Sequence, residues 1–199
     1  MIWYPLAMQK HAILCSRHGI PSGTSGIAET HKFPGMLHMA FSVFVFRRND
    51  SQLLIQKRNG AKRFGGLWAN TCCSHPQKGE DLIESAQKRL KEECGFTCPL
   101  SIHSSFIYKA QDKEKNEIEY EYDTILTGKA SDDVEINFNI DEIEEMNWTN
   151  VDKLINDMKN SPSNYAPWLP TALNIILKVS NKQRTTRNQQ PATNPPSAA

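Results

Sequence analysis

Hydrophobic residues recur with different periods along this chain, and each period predicts a different element. Phe41 to Phe46 reads FSVFVF, a nearly continuous aromatic and β-branched run, which is the composition of a strand covered on both faces. Ile118 to Asp123 reads IEYEYD and alternates strictly. As a strand it puts Glu119, Glu121 and Asp123 on one face and Ile118, Tyr120 and Tyr122 on the other. Leu82, Ile83, Ala86, Leu90 and Cys94 recur at helical spacing instead, and Gly95 stands where a glycine closes a helix.

Weaker patterns fill the gaps. His11–Cys15 and Ile20–Ile27 flank a turn at Arg17–Gly19 and predict a hairpin. Asn49–Asp50 turns the chain after the buried run, so that Leu53–Gln56 pairs back. A glycine-rich stretch, Gly60 to Gly66, leads into Trp68–Ser74. Strands are expected near Ser104–Lys109, Ile118–Thr127 and Glu145–Trp148, the first two joined by the charged turn Gln111–Glu117. A short helix from Val151 and a last helix near Trp168–Leu177 complete the set. A mixed sheet with helices on both faces, an α+β fold, suits this order. After about Asn181 the chain is polar and proline-rich, which predicts a disordered tail over 181–199.

Composition narrows the class. The chain has 199 residues, 39% hydrophobic and 23% charged, as expected of one globular domain. A formal net charge of +1 supplies no field to attract nucleic acid, and no apolar run approaches the roughly 20 residues of a membrane span. Met1 to Met8 contains Pro5 and lacks both a basic leader and a long apolar core, so a cytoplasmic monomer is expected. Five cysteines, an odd number with Cys72 and Cys73 adjacent, make no disulfide framework. On a strand those two neighbours point to opposite faces, leaving one for packing and one for chemistry.

Three groups carry candidate chemistry. Glu119 and Glu121 stand about 7 Å apart on one strand face, close enough to flank a cation; a solvated edge strand is the plainer alternative. His31 and His38 bracket the turn at Pro34–Gly35, and His75 follows Cys73 by two, on the same face of an extended segment. His11, His18 and His103 read as ordinary core or surface residues. Three His and two Glu can form a five-ligand metal site with one position open. Mixed imidazole and carboxylate donors suit Mn, Zn or Fe, and Mg less well. Third, Ser74–Phe96 resembles a Nudix box, with Glu80, Glu92 and Glu93 at its acidic positions. Ser74 replaces its opening glycine and Lys88–Arg89 its Arg-Glu pair. The missing glutamate argues against hydrolysis, although Glu92 and Glu93 can also be read as helix-surface charges.

The segments LHMAFSVFVF (37–46), GLWANTCCSHPQKGE (66–80), RLKEECG (89–95), FIYKA (106–110) and EYEYD (119–123) resemble the type 1 isopentenyl-diphosphate Δ-isomerases. The likeness runs from about His11 to about Ile176, and TCCSHP is its most specific stretch. It implies a Nudix-like α/β/α sandwich over about 36–175. This core sits within an isomerase domain over 11–180, which carries the N-terminal hairpin and is preceded by an extension over 1–10. It implies that His31, His38, His75, Glu119 and Glu121 hold a divalent metal (Mn²⁺, Zn²⁺ or Mg²⁺). Glu93 would assist a second Mg²⁺ bound with the substrate diphosphate. Cys73 and Glu121 would transfer protons, with Tyr108 helping and Trp168 covering the pocket. Arg58, Lys62 and Arg89 would meet the diphosphate, with Ser74 beside it. The resemblance also shows departures. Ile27 stands where the family often has a lysine, and the loop from Lys62 to Gly66 is one residue shorter than a common version, with Gly65 for proline.

The implied reaction interconverts isopentenyl and dimethylallyl diphosphate through a tertiary carbocation, in isoprenoid biosynthesis. Such chemistry needs an acid and a base with complementary protonation and a dry slot for the cation. A Nudix-type diphosphohydrolase is the competing enzyme, and a metal-binding protein without turnover the competing non-enzyme.

Overall fold

The computed structural model describes residues 11–188; the expected N-terminal extension and residues 189–199 of the expected tail lie outside it. Nine strands form one sheet: β1 (His11–Cys15), β2 (Pro21–Gly26), β3 (His38–Arg47), β4 (Gln52–Arg58), β5 (Trp68–Ala69), β6 (Cys72–Ser74), β7 (Leu100–Asp112), β8 (Glu117–Lys129) and β9 (Ile143–Asn150). The helices are α1 (Ile27–His31), α2 (Leu82–Cys94), α3 (Val151–Asn160) and α4 (Leu169–Asn188).

β3 is the centre. It runs parallel to β8 from His38 opposite Glu121 to Phe46 opposite Lys129. It runs antiparallel to β6, with Ser42 opposite Cys73, and its far end pairs with β4 at Phe46 and Leu53. β7 covers the outer side of β8, with Tyr108 opposite Glu121. Parallel and antiparallel ladders together make the sheet mixed, as the α+β reading expects.

Strand alternation then sorts the side chains. Phe41, Val43 and Val45 face α2, packing with Cys72, Leu126, Ala86, Leu90 and Cys94. Phe44, Phe46 and Ile125 take the other face and pack with Leu154, Leu169 and Leu173 of α3 and α4. The α2 boundaries follow from its caps. The Asp81 carboxylate accepts the N–H groups of Ile83 and Glu84 at 2.9 and 3.0 Å. Gly95 then adopts φ 80°, and a Cβ there would strike the Asn137 carbonyl.

Several elements are longer than their sequence signals. β3, β7 and β8 extend each other through shared ladders beyond the stretches whose pattern is clear. Ile27 opens α1 rather than closing the hairpin, and the Thr30 hydroxyl donates to the Gly26 carbonyl at 2.9 Å. Residues 181–188, assigned to the tail by composition, continue α4. Lys182, Gln183 and Arg184 are good helix formers, and no proline interrupts before Pro191.

Candidate active site

One face of the sheet changes character along its length. On β3, His38, Ala40 and Ser42 precede Phe44 and Phe46; on β8, Glu119, Glu121 and Asp123 precede Ile125. The polar ends lie side by side because β3 and β8 are parallel and in register. β8 is no edge strand. It is flanked by β3 and β7, and its three carboxylates are buried. β6 brings in Cys73, the chain leaving β6 supplies His75, and the short α1 supplies His31.

The result is a knot of donor atoms. One ligand atom from each of His31, His38, His75, Glu119 and Glu121 lies within 4.8 Å of all the others. His31 Nε2 is 3.0 Å from Glu119 Oε2, His38 Nε2 is 3.0 Å from His75 Nε2, and His75 Nε2 is 3.2 Å from Glu121 Oε1. The far ring nitrogens of His31 and His38 donate to the Ile27 and Met36 carbonyls at 2.6 and 2.8 Å. Those bonds put the proton on Nδ1 and turn the Nε2 lone pairs inward. Two imidazole lone pairs facing across 3.0 Å repel unless a proton or a cation lies between them, so the donor set fits a divalent metal.

Each carboxylate is also held from outside. Arg63 Nε donates to Glu119 Oε1 at 2.6 Å, and the Tyr108 hydroxyl donates to Glu121 Oε2 at 2.6 Å. One oxygen of each is left facing the knot. Burial pushes the Glu121 carboxyl up, but the imidazoles of His38 and His75, 3.6 and 3.2 Å away, prevail and hold it well below the usual carboxylate range. Burial pulls His38 down, yet the nearby Glu121 carboxylate brings it out above the ordinary imidazole. For His75 burial wins, and its proton affinity is lowered.

Beside the knot lies an apolar cluster, at the place the implied reaction would need its dry slot. Phe64, Ala69, Ala166 and Trp168 form a buried cluster against which Cys73, Phe106 and Tyr108 pack. The Trp168 ring lies 5.6 Å from both Phe64 and Tyr108. Burial pushes the Cys73 thiol up to about 12 against the lowering charge of Arg58, so it keeps its proton at neutral pH. Its neighbour Cys72 is fully buried in the α2-facing core.

The expected diphosphate residues gather nearby. Lys62 pairs with Glu142, and Arg89 reaches Glu142 at 2.5 Å and Glu92 at 3.1 Å. Arg89 Nε also lies 2.7 Å from Glu93 Oε1, a close ion pair without hydrogen-bond alignment. Burial lowers the Lys62 ammonium, and the charges of Arg58 and Arg89 push the same way. Lys62 therefore feels both guanidinium groups, while the Glu93 carboxylate opposes them. Arg58 lies 5.3 Å from the Trp168 ring centre. Ser74 pairs with Phe41, on the α2 side of the sheet.

Sequence reasoning missed four polar residues here: Arg63, Asn70, Asp123 and Glu142. Asp123 was visible on the acidic face but given no role; it accepts from Ser42 Oγ at 2.7 Å, and burial pushes its carboxyl well up. The available signal for Asn70 was an amide, a poor strand former, inside the strand-like WANTCCS. Arg63 and Glu142 gave no comparable signal, because their partners are remote in sequence.

Comparison with known proteins adds the family. The NUDIX domain family matches residues 36–170. "Isopentenyl-diphosphate Delta-isomerase 2" of Photorhabdus laumondii is 44% identical over 84% of this chain and 92% of its own length. "Isopentenyl-diphosphate Delta-isomerase" of Halorhodospira halophila is 38% identical over 80% of this chain and 90% of its own. The chain belongs to the isopentenyl-diphosphate isomerase family. The Deinococcus radiodurans DR0079 crystal structure, at 14% identity and a TM-score of 0.66, covers 83% of this chain and 98% of its own, a likeness of fold alone.

Within the isopentenyl-diphosphate isomerase family, this chain's departures can now be located. Ile27 lacks a cationic side chain, but its carbonyl fixes the His31 ring. The Lys62–Gly66 loop sends its two cations apart, Lys62 to Glu142 and Arg63 to Glu117 and Glu119. Among the described residues, no helix is long and apolar enough to cross a membrane.

Proposed function

We propose that this chain interconverts isopentenyl diphosphate and dimethylallyl diphosphate, as a cytoplasmic monomer in isoprenoid biosynthesis. One observation carries the reading: five metal-ligand side chains meet on the same sheet face as a thiol set in an aromatic cluster. Relatives bearing the isomerase name over most of the chain support it.

The substrate alkene is unactivated. Protonating it gives a tertiary carbocation, and loss of a proton from the neighbouring carbon gives the product. Cys73 holds its proton while Glu121 stays ionised, so the pair carries one proton between them. Whichever group donates in a given direction, the other is free to accept. Tyr108 holds Glu121 Oε2 in place by its hydroxyl. Trp168 turns a π face to the slot, which stabilises a desolvated cation by about 2 kcal/mol or more. The surrounding rings exclude the water that would trap the cation.

His31, His38, His75, Glu119 and Glu121 would hold Mn²⁺, Zn²⁺ or Mg²⁺, and the metal when bound supplies positive charge that keeps both carboxylates ionised side by side. Arg58, Lys62 and Arg89 grip the diphosphate, Ser74 lies beside it, and Glu93 would share a second Mg²⁺ with it. Purified protein with Mg²⁺ is expected to interconvert the two C5 diphosphates without releasing inorganic phosphate. Phosphate release without isomerisation would assign it instead to the diphosphohydrolases.

A further inference from the structure

Asn70 lies in the turn between β5 and β6 and is fully buried. Its amide hydrogens go to the carbonyls of Val43 and Cys72 at 3.0 and 2.9 Å, one on β3 and one on β6. Two carbonyls on that side fix the direction of the amide, because a flipped group would set oxygen against oxygen. The side-chain oxygen Oδ1 therefore faces the slot. There it receives the Cys73 thiol at 3.2 Å and the Trp168 indole N–H at 2.9 Å.

This amide uses two donors and two acceptor positions at once, so nothing is left unpaired at a fully buried site. Its two slot-side partners are the Cys73 thiol and the indole N–H of Trp168. The indole N–H can only donate and has no other role in the slot. Ser42 Oγ, at 3.6 Å, is the thiol's more distant neighbour, and its own hydrogen goes to Asp123.

We propose that Asn70 is a positioning residue for the isomerisation: one carbonyl oxygen, clamped to the sheet backbone, aims the Cys73 S–H and sets the orientation of Trp168. The inference rests on the reading of Cys73 and Trp168 given above. It assigns Asn70 no contact with substrate.

The test compares variants of the full-length, metal-loaded enzyme. Asn70→Ala is expected to lower kcat by about 10²-fold, the scale of an ångström misplacement of reacting groups. KM for isopentenyl diphosphate should stay within about threefold, because the diphosphate grip lies elsewhere. In a Trp168→Phe background, which lacks the indole donor, Asn70→Ala should cost less than in the wild type. Wild-type kcat in Asn70→Ala, an effect on KM alone, or an undiminished cost of Asn70→Ala in the Trp168→Phe background would overturn the proposal. If Asn70→Ala does not fold, the indole proton of Trp168 in the unaltered enzyme decides, assigned by its loss in Trp168→Phe. A downfield, hydrogen-bonded resonance supports the proposal and an unbonded one overturns it. Cys73→Ala in the same assay separates two kinds of failure. If Cys73→Ala is inactive while Asn70→Ala is normal, only the role of Asn70 fails. Wild-type turnover in Cys73→Ala would remove the reading beneath it as well.

Discussion

Two halves of a single sheet face are built from the same strands yet obey opposite rules. Toward α3 and α4, Phe44, Phe46 and Ile125 are buried against apolar neighbours, which stabilises the fold with no demand on direction. Toward the site, His38, Ser42, Glu119, Glu121 and Asp123 are equally buried, and each is tolerable only because a specific partner meets it. Glu121 and Asp123 make the point within one strand. Both are pushed up by burial, but Glu121 lies against two imidazoles and ends well below the usual range. Asp123 receives one hydroxyl, feels the charge of Glu121, and ends well above it. The apolar half can be altered without touching chemistry, whereas removing one member of the polar half leaves a buried partner unpaired.

The strongest way to break that division is Cys73→Ala. Turnover should fall by about 10⁴-fold, the upper range for losing a proton-transfer group, while metal content and thermal midpoint stay near wild type. Retained activity would end the thiol's role. His75→Ala should next reduce bound metal from about one ion per chain to nearly none, as read by metal analysis after gel filtration. Phe44→Ala tests the other half: a loss of about 3–5 kcal/mol in denaturant unfolding, with metal stoichiometry of the folded protein unchanged. A loss of metal there would show that the halves are not separable. Arg63→Met, which leaves the buried Glu119 Oε1 unpaired, should weaken metal binding by about 10–100-fold and cost about 1–3 kcal/mol in unfolding.

The smallest effect is on pH dependence. A protonated imidazole cannot bind metal, and His38 takes up its proton above the ordinary imidazole value. Metal affinity should therefore be constant at higher pH and begin to fall before pH reaches about 6.5. Below that it should drop by about tenfold per pH unit for each proton displaced. Titration calorimetry across pH 5–8, a range centred roughly on the imidazole, checks the sign; affinity rising as pH falls would contradict it.

Legibility in the sequence divides along the same line. Features that depend on period were readable: the α2 span with Gly95 at its end, the alternation of 118–123, and the opposite faces of Cys72 and Cys73. Ligand candidates could be named because histidines number only six, the 118–123 alternation sets Glu119 and Glu121 on one face, and the resemblance to the isomerases joined them. What could not be read was pairing between remote positions. α1 is five residues long, too short to show a period, yet it carries His31. Asn70, Arg63 and Glu142 act through partners far along the chain or through backbone carbonyls, which leave no trace in spacing. The extension of α4 past residue 181 has the same origin: polar composition marks solvent exposure and leaves helix formation undecided.

The central claim is that distant stretches converge on one cation beside the thiol. A crystal grown with Mn²⁺ and measured at the manganese absorption edge tests it most directly. The account predicts a single strong anomalous peak in contact with the Nε2 atoms of His31, His38 and His75 and the inward oxygens of Glu119 and Glu121. A peak bound elsewhere, or those five side chains turned away from a common centre, would contradict it.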